Sequence, residues 1–314
     1  MTLRSFLRHE TILLILLVIA LIILAQQSDK FFTTDNLLNQ GRLMAEVGLL
    51  ALPMTFVIVT GGIDLSVGSI FGLSAILLGV FWHGLGIPLP VAMVLAVLVG
   101  GVAGLGNGLI MTRFNVPPLI ATLATLALYR GLAEGISQAR SVRGYPEWFF
   151  VLGQGEVLGL PTQLWFLFGL AIAAAAVLGL TTFGRTTYAI GANEVAARFS
   201  GLNVARTKLI IYATSGLIAG LAAVIFVSRV STTRSDMGTG LELDVITAVV
   251  LGGTSIFGGK GTIIGTILGL VLMQVMKSGL ALAGVKGDGT IVVIGVVLIA
   301  AILLGNLLSR NGDG

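Results

Sequence analysis

The chain is built from a succession of apolar stretches of membrane-spanning length, separated by short polar segments. A helix that crosses a bilayer core needs about 20 predominantly apolar residues. Only 10% of the 314 residues are charged, against about 25% in an average soluble domain. So few charges cannot cover a soluble protein of this length. We therefore expect an all-α polytopic membrane protein, and we exclude a cytosolic enzyme, a nucleic-acid-binding protein and a disordered chain.

About ten stretches are long and apolar enough to be predicted as transmembrane helices, some of them broken. They are 11–26, 43–60, 66–82, 91–110, 118–137, 163–181, 209–228, 244–257, 262–283 and 290–308. The first follows Arg4 and Arg8 and is not followed by a small-residue cleavage site, so we interpret it as an uncleaved span with a cytoplasmic N-terminus. An even number of spans then places both termini in the cytoplasm.

Two predicted loops are longer than the others. Residues 138–161 form an outer loop, and residues 183–208 form an inner loop that is rich in basic residues. Its basic residues are Arg185, Arg198, Arg206 and Lys208. Because no long polar segment separates two halves of the chain, we expect residues 1–314 to form a single transmembrane domain.

Glycines recur at every fourth position in three of the predicted spans. This spacing clears one face of a helix so that a neighbouring backbone can approach closely. The repeated glycines are Gly100, Gly104 and Gly108, then Gly216 and Gly220, and finally Gly261, Gly265 and Gly269. They predict close helix packing in a compact bundle.

A polar segment, Thr60–Ser69, interrupts the apolar run between the second and third predicted spans. Gly61 and Gly62 allow the backbone to leave helical geometry, and we expect Asp64 and Ser66 to cap the next helix by accepting its free amide hydrogens. Two interpretations stay open, and they are compatible. One is a tight turn with an N-cap, and the other is a broken helix on a substrate pathway.

On the second interpretation, a tentative translocation pathway is lined by a small group of residues around the break. It comprises Gly61, Gly62, Asp64, Ser66 and Asn107. Asn107 is polar on a span whose other notable feature is its glycine face. It either faces the pathway or hydrogen-bonds to a neighbouring helix.

A weaker echo of this segment occurs near the C-terminus. Residues 250–253 resemble residues 59–62, and residues 261–265 resemble residues 68–72, with a spacing that differs by two residues. The echo indicates an internal repeat of the kind found in many transporters. Chance similarity between glycine-rich apolar stretches is the alternative.

Nucleotide binding, zinc chemistry and serine-based catalysis are excluded, because their sequence motifs are incomplete or missing. Segment 253–262 resembles a phosphate-binding loop, but an extra Gly259 precedes Lys260, and Gly261 stands where Ser or Thr is needed for magnesium. The chain has no cysteine, and it lacks the histidine pair of a zinc motif and the glycine spacing of a serine nucleophile. We expect no catalytic residue, metal site or cofactor in this chain, so any ATP is hydrolysed by another chain.

The inner loop is predicted to contain a helix of about two turns. Asn193 is its N-cap, Glu194 and Arg198 stand four residues apart, and Gly201 provides the C-terminal cap. Such a helix is too short and too polar to span a membrane. It is either a solvated loop helix or a docking element for a cytoplasmic partner.

Three phrases in the chain resemble the permease subunits of bacterial ABC sugar importers of the ribose class. They are residues 60–68, 191–204 and 243–253. That class includes permeases for ribose, rhamnose and autoinducer-2. The second phrase is similar to the loop by which importer permeases engage their ATPases, although Val195 replaces the typical Ala. Its candidate coupling residues are Gly191, Asn193, Glu194, Ala196, Ala197, Arg198 and Gly201.

The resemblance implies a multi-pass protein of the bacterial inner membrane that works by ATP-driven alternating access. It also implies a second permease chain, identical or paralogous, and two cytoplasmic ATPase subunits that use ATP and Mg. A periplasmic binding protein would deliver the sugar, with 138–161 as a periplasmic loop and 183–208 as the coupling loop. The sugar stays undetermined. The alternatives are a secondary ion-coupled transporter of a small polar solute and a non-transporting scaffold subunit.

Overall fold

The structure is a computed structural model that describes residues 3–27, 30–138, 140–287, 289–297 and 299, most of which are helical, as predicted. The helices are α1 (Leu3–Gln27), α2 (Thr34–Val59), α3 (Val67–Gly79), α4 (Leu89–Phe114), α5 (Pro118–Ser137), α6 (Val151–Gln154), α7 (Thr162–Leu180), α8 (Thr182–Ala192), α9 (Glu194–Phe199), α10 (Val204–Val230), α11 (Leu241–Leu251) and α12 (Ile263–Leu282). A π-helical turn at Val80–Gly84 extends α3, and a 3-10 turn occupies Glu147–Phe150. The strands are β1 (Val142–Arg143), β2 (Glu156–Val157), β3 (Leu160–Pro161) and β4 (Thr232–Thr233).

Within the described residues, seven helices are long and apolar enough to cross a membrane, and each overlaps one predicted span. The first predicted span lies in α1, whose apolar part is the shorter stretch Glu10–Ile23. The span predicted at 244–257 is not among the seven, because the helix in that region, α11, has only 11 residues and reaches about 16 Å. Of the last predicted span, 290–308, the structure describes helix at 289–297, and residues beyond 299 lie outside the described part. The count of ten spans stays a prediction.

Helix α2 lies at the centre of the molecule. In its most apolar 18-residue window 83% of the residues are buried, against 22% in the corresponding window of α7. The helix packs against α7, α10, α11 and α12. Helix α2 is therefore enclosed by other helices along most of its length.

The predicted glycine faces join α4 to α10 and α11 to α12. A Cβ added at Gly104 would overlap the carbonyl oxygen of Tyr212, and one at Gly216 would overlap that of Gly100. On α12, Gly265 and Gly269 approach the backbone of α11 in the same way. Gly261 does not belong to this face, because it lies before the first residue of α12 and meets a loop side chain.

The predicted loop 138–161 folds against the rest of the protein. Its strand β1 pairs antiparallel with β4, which follows α10. The strands β2 and β3 form a hairpin within the loop, and Arg42 on α2 forms an ion pair of 2.6 Å with Glu156. The loop is therefore an ordered surface at the end of the bundle where α2 begins.

Candidate translocation and coupling site

The break between α2 and α3 has the hydrogen-bond pattern of a glycine-terminated helix. The amide of Gly61 donates to the carbonyl of Ile58 (2.9 Å), and that of Gly62 donates to the carbonyl of Val57 (3.0 Å). Gly61 has φ of +77°, a left-handed conformation that glycine adopts without a steric penalty. The predicted interruption is confirmed, and the chain stays non-helical until Ser66.

Asp64 and Ser66 were predicted to accept hydrogen bonds from the first amides of α3, and this prediction is wrong. Asp64 Oδ1 accepts from the Ser66 amide (2.9 Å) and from the Ser66 hydroxyl (2.6 Å). Within the described chain the Ser66 side chain makes no capping bond to α3. Its hydroxyl proton is already donated to Asp64, so it is Asp64 that orders the turn leading into the helix.

Asn107 on α4 belongs to the same polar group. Its Nδ2 donates to Ser66 Oγ over 2.7 Å, and its Oδ1 accepts from the Tyr129 hydroxyl over 3.2 Å. The side chain is fully buried. Of the two predicted roles, the structure shows the hydrogen bond to neighbouring elements.

Four residues of this polar group were missed from the sequence. Tyr129 and Thr122 lie on α5, and the Thr122 hydroxyl donates to the carbonyl of Ile63 in the break (3.0 Å). Tyr212 and Ser215 lie on α10 and are fully buried. A polar residue inside an apolar span is the signal that could have found them, but only folding shows that they meet at one place.

Replacing Ser66 by alanine should lower the stability of the folded permease. The change leaves Asn107 Nδ2 without its acceptor and removes one donor from Asp64, and each unpaired buried group costs about 1–3 kcal/mol. Thermal unfolding of the purified protein measures the loss. Ser74→Ala, on the helix α3 that follows Ser66, is the matched control. The Ser74 hydroxyl has no partner among the described residues, so its removal should be neutral or stabilising. If Ser66→Ala and Ser74→Ala change the unfolding temperature equally, the hydrogen bonds of Ser66 to Asn107 and Asp64 do not stabilise the protein as proposed.

A second break follows α11 and repeats the local geometry of the first. The amide of Gly253 donates to Val250 (2.9 Å), and the amide of Thr254 donates to Val249 (3.3 Å). Gly253 has φ of +88° and corresponds to Gly61. The sequence echo aligned Gly253 with Gly62, so the structural register differs from it by one residue. The loop that follows closes on itself, since the Ser255 amide donates to the carbonyl of Lys260 (2.9 Å).

The two breaks meet the inner loop at a glycine junction formed by Gly191, Val59 and Gly259. The Gly259 amide donates to the carbonyl oxygen of Val59, the last residue of α2, over 2.9 Å. A Cβ at Gly191 would overlap both that oxygen and the Gly259 amide. Nearby, the Tyr188 hydroxyl donates to the carbonyl of Gly261 (2.7 Å). The end of α8 therefore rests directly on both breaks.

Beyond the junction, the predicted inner-loop helix is present as α9. The Asn193 side chain accepts from the Ala196 amide (2.9 Å), which confirms the N-cap. Glu194 forms the predicted ion pair with Arg198 (2.9 Å) and a second pair with Lys208 (2.6 Å). Gly201 follows the helix with φ of +81°, as expected of a C-terminal cap.

The charges around Glu194 keep it ionised. Burial alone would raise the pKa of this carboxyl, but the hydrogen bonds and positive charges of Lys208 and Arg198 outweigh burial and lower it below 4.5. The contribution of these pairs is therefore present at neutral pH and is lost only as the pH falls through that lowered value.

One face of α9 packs against the protein, and the other face is exposed. Ala197 is buried, whereas Val195 is 64% exposed and Phe199 is 89% exposed. Phe257, beside the glycine junction, is 92% exposed. Ala196 and Arg198 also lie on the exposed side. Bare aromatic and aliphatic side chains on a short charged helix have the character of a protein-binding surface.

Comparison with known proteins places this geometry in a family context. A family model described as branched-chain amino acid transport system, permease component, matches residues 36–302. The chain is 39% identical over 300 residues to the ribose import permease protein of Escherichia coli strain K12, covering 93% of this chain and 92% of that one. It is 41% identical to the ribose import permease protein of Bacillus subtilis strain 168, covering 86% and 84%.

A third relative carries a different name. The autoinducer 2 import system permease protein of Yersinia enterocolitica is 38% identical over 263 residues, covering 82% of this chain and 79% of that one. No solved structure matches the chain.

Proposed function

Because the chain belongs to the branched-chain amino acid transport system permease component family, we propose that it is the membrane-spanning subunit of an ATP-driven sugar importer of the bacterial inner membrane. The observation that carries the mechanism is the glycine junction. Through it, a cytoplasmic loop contacts both helix breaks in the bundle. The relatives named for ribose and autoinducer 2 support a sugar or a sugar-like furanose as the substrate.

Energy enters through separate subunits. The segment 253–262 uses backbone amides to close its own loop and to reach Val59, which leaves them unsuited to cradling a phosphate. Two cytoplasmic ATPases would therefore bind ATP and Mg and would dock on the inner loop 183–208. No residue of this chain is assigned a catalytic role.

The remaining partners follow from the same class of importer. A second permease chain, identical or paralogous, would complete the pathway, and a periplasmic binding protein would deliver substrate at the loop 138–161. We propose in addition that both termini lie in the cytoplasm and that residues 1–314 form one transmembrane domain. The ordered packing of loop 138–161 supports a docking role, because a fixed surface binds a partner at a lower entropic cost.

The cycle begins at α9. Closure of the ATPases pushes on the bare face of α9, and the ion pairs of Glu194 join α9 to the start of α10 through Lys208. Gly191 passes the displacement to the carbonyl of Val59 and to Gly259. The breaks then shift, the residues from Gly61 to Ser66 move with them, and the pathway opens to one side at a time.

Uptake by a reconstituted complex tests the proposal. The permease is combined with an ATPase and a binding protein from the same organism and placed in proteoliposomes, and uptake of labelled ribose and autoinducer 2 is measured. We expect uptake only with ATP and the binding protein present. Uptake driven by an ion gradient without ATP would favour the secondary transporter, and absence of uptake in every condition would favour the scaffold.

Replacing Phe199 by serine should weaken ATPase binding without destabilising the permease. The ring is almost fully exposed, so it contributes little to folding, whereas a buried aromatic anchor at an interface is worth more than about 1 kcal/mol. We expect about a tenfold rise in the dissociation constant of the ATPase. Leu158→Ser, at an 87% exposed position in loop 138–161, is the matched control and should leave that constant unchanged. If both variants bind the ATPase with the same dissociation constant, Phe199 on α9 is not part of the interface.

A further inference from the structure

Three buried polar atoms near the first break have no hydrogen-bond partner among the described residues. They are Asp64 Oδ2, Tyr212 Oη and Ser215 Oγ. All three side chains have no exposed surface. Buried polar atoms in folded proteins are nearly always paired, with protein groups or with a bound molecule.

The other oxygen of Asp64 is fully supplied. The Tyr129 hydroxyl lies within hydrogen-bond distance of the Ala103 carbonyl (2.9 Å) and of Asn107 Oδ1 (3.2 Å). Asn107 Nδ2 donates to Ser66 Oγ. The Ser66 hydroxyl then donates to Asp64 Oδ1. Asn107 and Ser66 both donate towards Asp64, so Oδ1 has its donors, and Oδ2 has no donor among the described residues.

The two unpaired hydroxyls belong to α10, which packs against α2 and α3 on either side of the break. Tyr212 and Ser215 stand three residues apart and so share one side of the helix. The Tyr212 hydroxyl lies over Gly62, 2.6 Å from the point where a Cβ would sit. The Ser215 hydroxyl lies close to the Asp64 carboxyl without completing a hydrogen bond in this structure. Gly62 therefore leaves the space that the Tyr212 hydroxyl occupies beside the break.

The chemistry of the three atoms defines their ligand. A carboxylate oxygen only accepts, whereas each hydroxyl can donate and accept. A ligand hydroxyl satisfies the set, because it donates to Oδ2 and accepts from Tyr212 or Ser215. A divalent cation is a poorer fit. It takes about six oxygen ligands or more, and the described residues contain no cluster of three acidic or histidine side chains.

We propose that Asp64, Tyr212 and Ser215 form a binding site for a hydroxyl group beside the first helix break. The hydroxyl comes from one water molecule in the closed bundle or from the polyol that passes through it. The second source rests on the proposed function, and the first does not. If the ligand is the polyol, Tyr212 and Ser215 join the pathway residues that were expected from the sequence.

Two substitutions, Tyr212→Phe and Ser215→Ala, test the site in the purified full-length permease in lipid nanodiscs. Each removes one hydroxyl and keeps the remaining shape of the side chain. Thermal unfolding is recorded without sugar and with a high concentration of ribose. The control is Ser74→Ala, which removes a buried unpaired hydroxyl remote from the set of three.

A water ligand predicts that both variants unfold about 2–4 °C below wild type without sugar, because a bound water loses a partner. A polyol ligand predicts an unchanged or higher midpoint without sugar, together with loss of the rise that ribose produces in wild type. Either result supports the site. The site is overturned if both variants behave like Ser74→Ala, with an unchanged or raised midpoint and a wild-type response to ribose.

The measurement without sugar separates this proposal from the proposed function. If wild-type permease transports no sugar in proteoliposomes but both variants unfold earlier than wild type, the importer assignment fails and the site stands. If transport is normal and both variants match the control, the site fails and the importer assignment stands.

Discussion

Replacing Gly191 by alanine should reduce ATP-driven uptake by about tenfold or more. The added methyl group would overlap the carbonyl oxygen of Val59 and the amide of Gly259. Both are backbone atoms, so neither can rotate away as a side chain would. Overpacking of this kind costs about 1–3 kcal/mol or more. It acts where the inner loop touches both helix breaks, so the effect should appear in transport. The measurement is the initial rate of sugar uptake by the reconstituted importer.

Gly179→Ala is the matched control for this prediction. Gly179 lies near the end of α7, and a Cβ there meets nothing within 4 Å. The control should keep wild-type uptake. ATP hydrolysis is measured in parallel, because a broken junction should leave hydrolysis running while uptake stops. Wild-type uptake by Gly191→Ala would show that the junction carries no coupling.

Replacing Glu194 by lysine should uncouple ATP hydrolysis from uptake, with a fall in uptake of about tenfold or more. The change removes both ion pairs and places a third positive charge between Lys208 and Arg198. It also puts a cation at the first turn of α9, where the helix dipole disfavours it by about 0.3–1 kcal/mol. Exposed ion pairs are individually weak, so the expected loss comes from reversed charge and a displaced helix.

A charge swap separates the ion pair from a direct contact with the ATPase. Glu194→Lys combined with Lys208→Glu restores opposite charges at these two positions. If the pair with Lys208 holds α9 in place, the double variant should recover a substantial part of the uptake. If uptake stays low in the double variant, Glu194 contacts the ATPase directly. Unaltered uptake by the single variant would contradict the coupling role of α9.

Local features were predictable wherever all the interacting residues lie within a few positions of one another. The break at Gly61 and Gly62 follows from backbone freedom, and the N-cap at Asn193 follows from a side chain that reaches three residues ahead. The ion pair between Glu194 and Arg198 follows from helical spacing. Each of these depends on contacts within about four residues, so the sequence contains all the participants.

Predictions that depended on distant partners fared less well. Ser66 was expected to cap α3, but its hydroxyl is engaged by Asp64 and approached by Asn107 from another helix. The apolar stretch at 244–257 was expected to span the membrane. The helix α11 has only 11 residues, because the backbone turns at Gly252 and Gly253, where the Gly253 amide donates back to the carbonyl of Val250. Hydropathy measures apolar length and does not register where a backbone turn interrupts it.

The sequence by itself determined the class of protein, because scarce charge and repeated apolar stretches permit only a membrane bundle. It also located the first break and the inner-loop helix. Only the tertiary structure decided which residues act together. The junction of Gly191 with Val59 and Gly259, and the buried set of Asp64, Tyr212 and Ser215, each join residues separated by more than a hundred positions. Such groups form only when helices pack, because close backbone approach and burial arise from the pairing of distant faces.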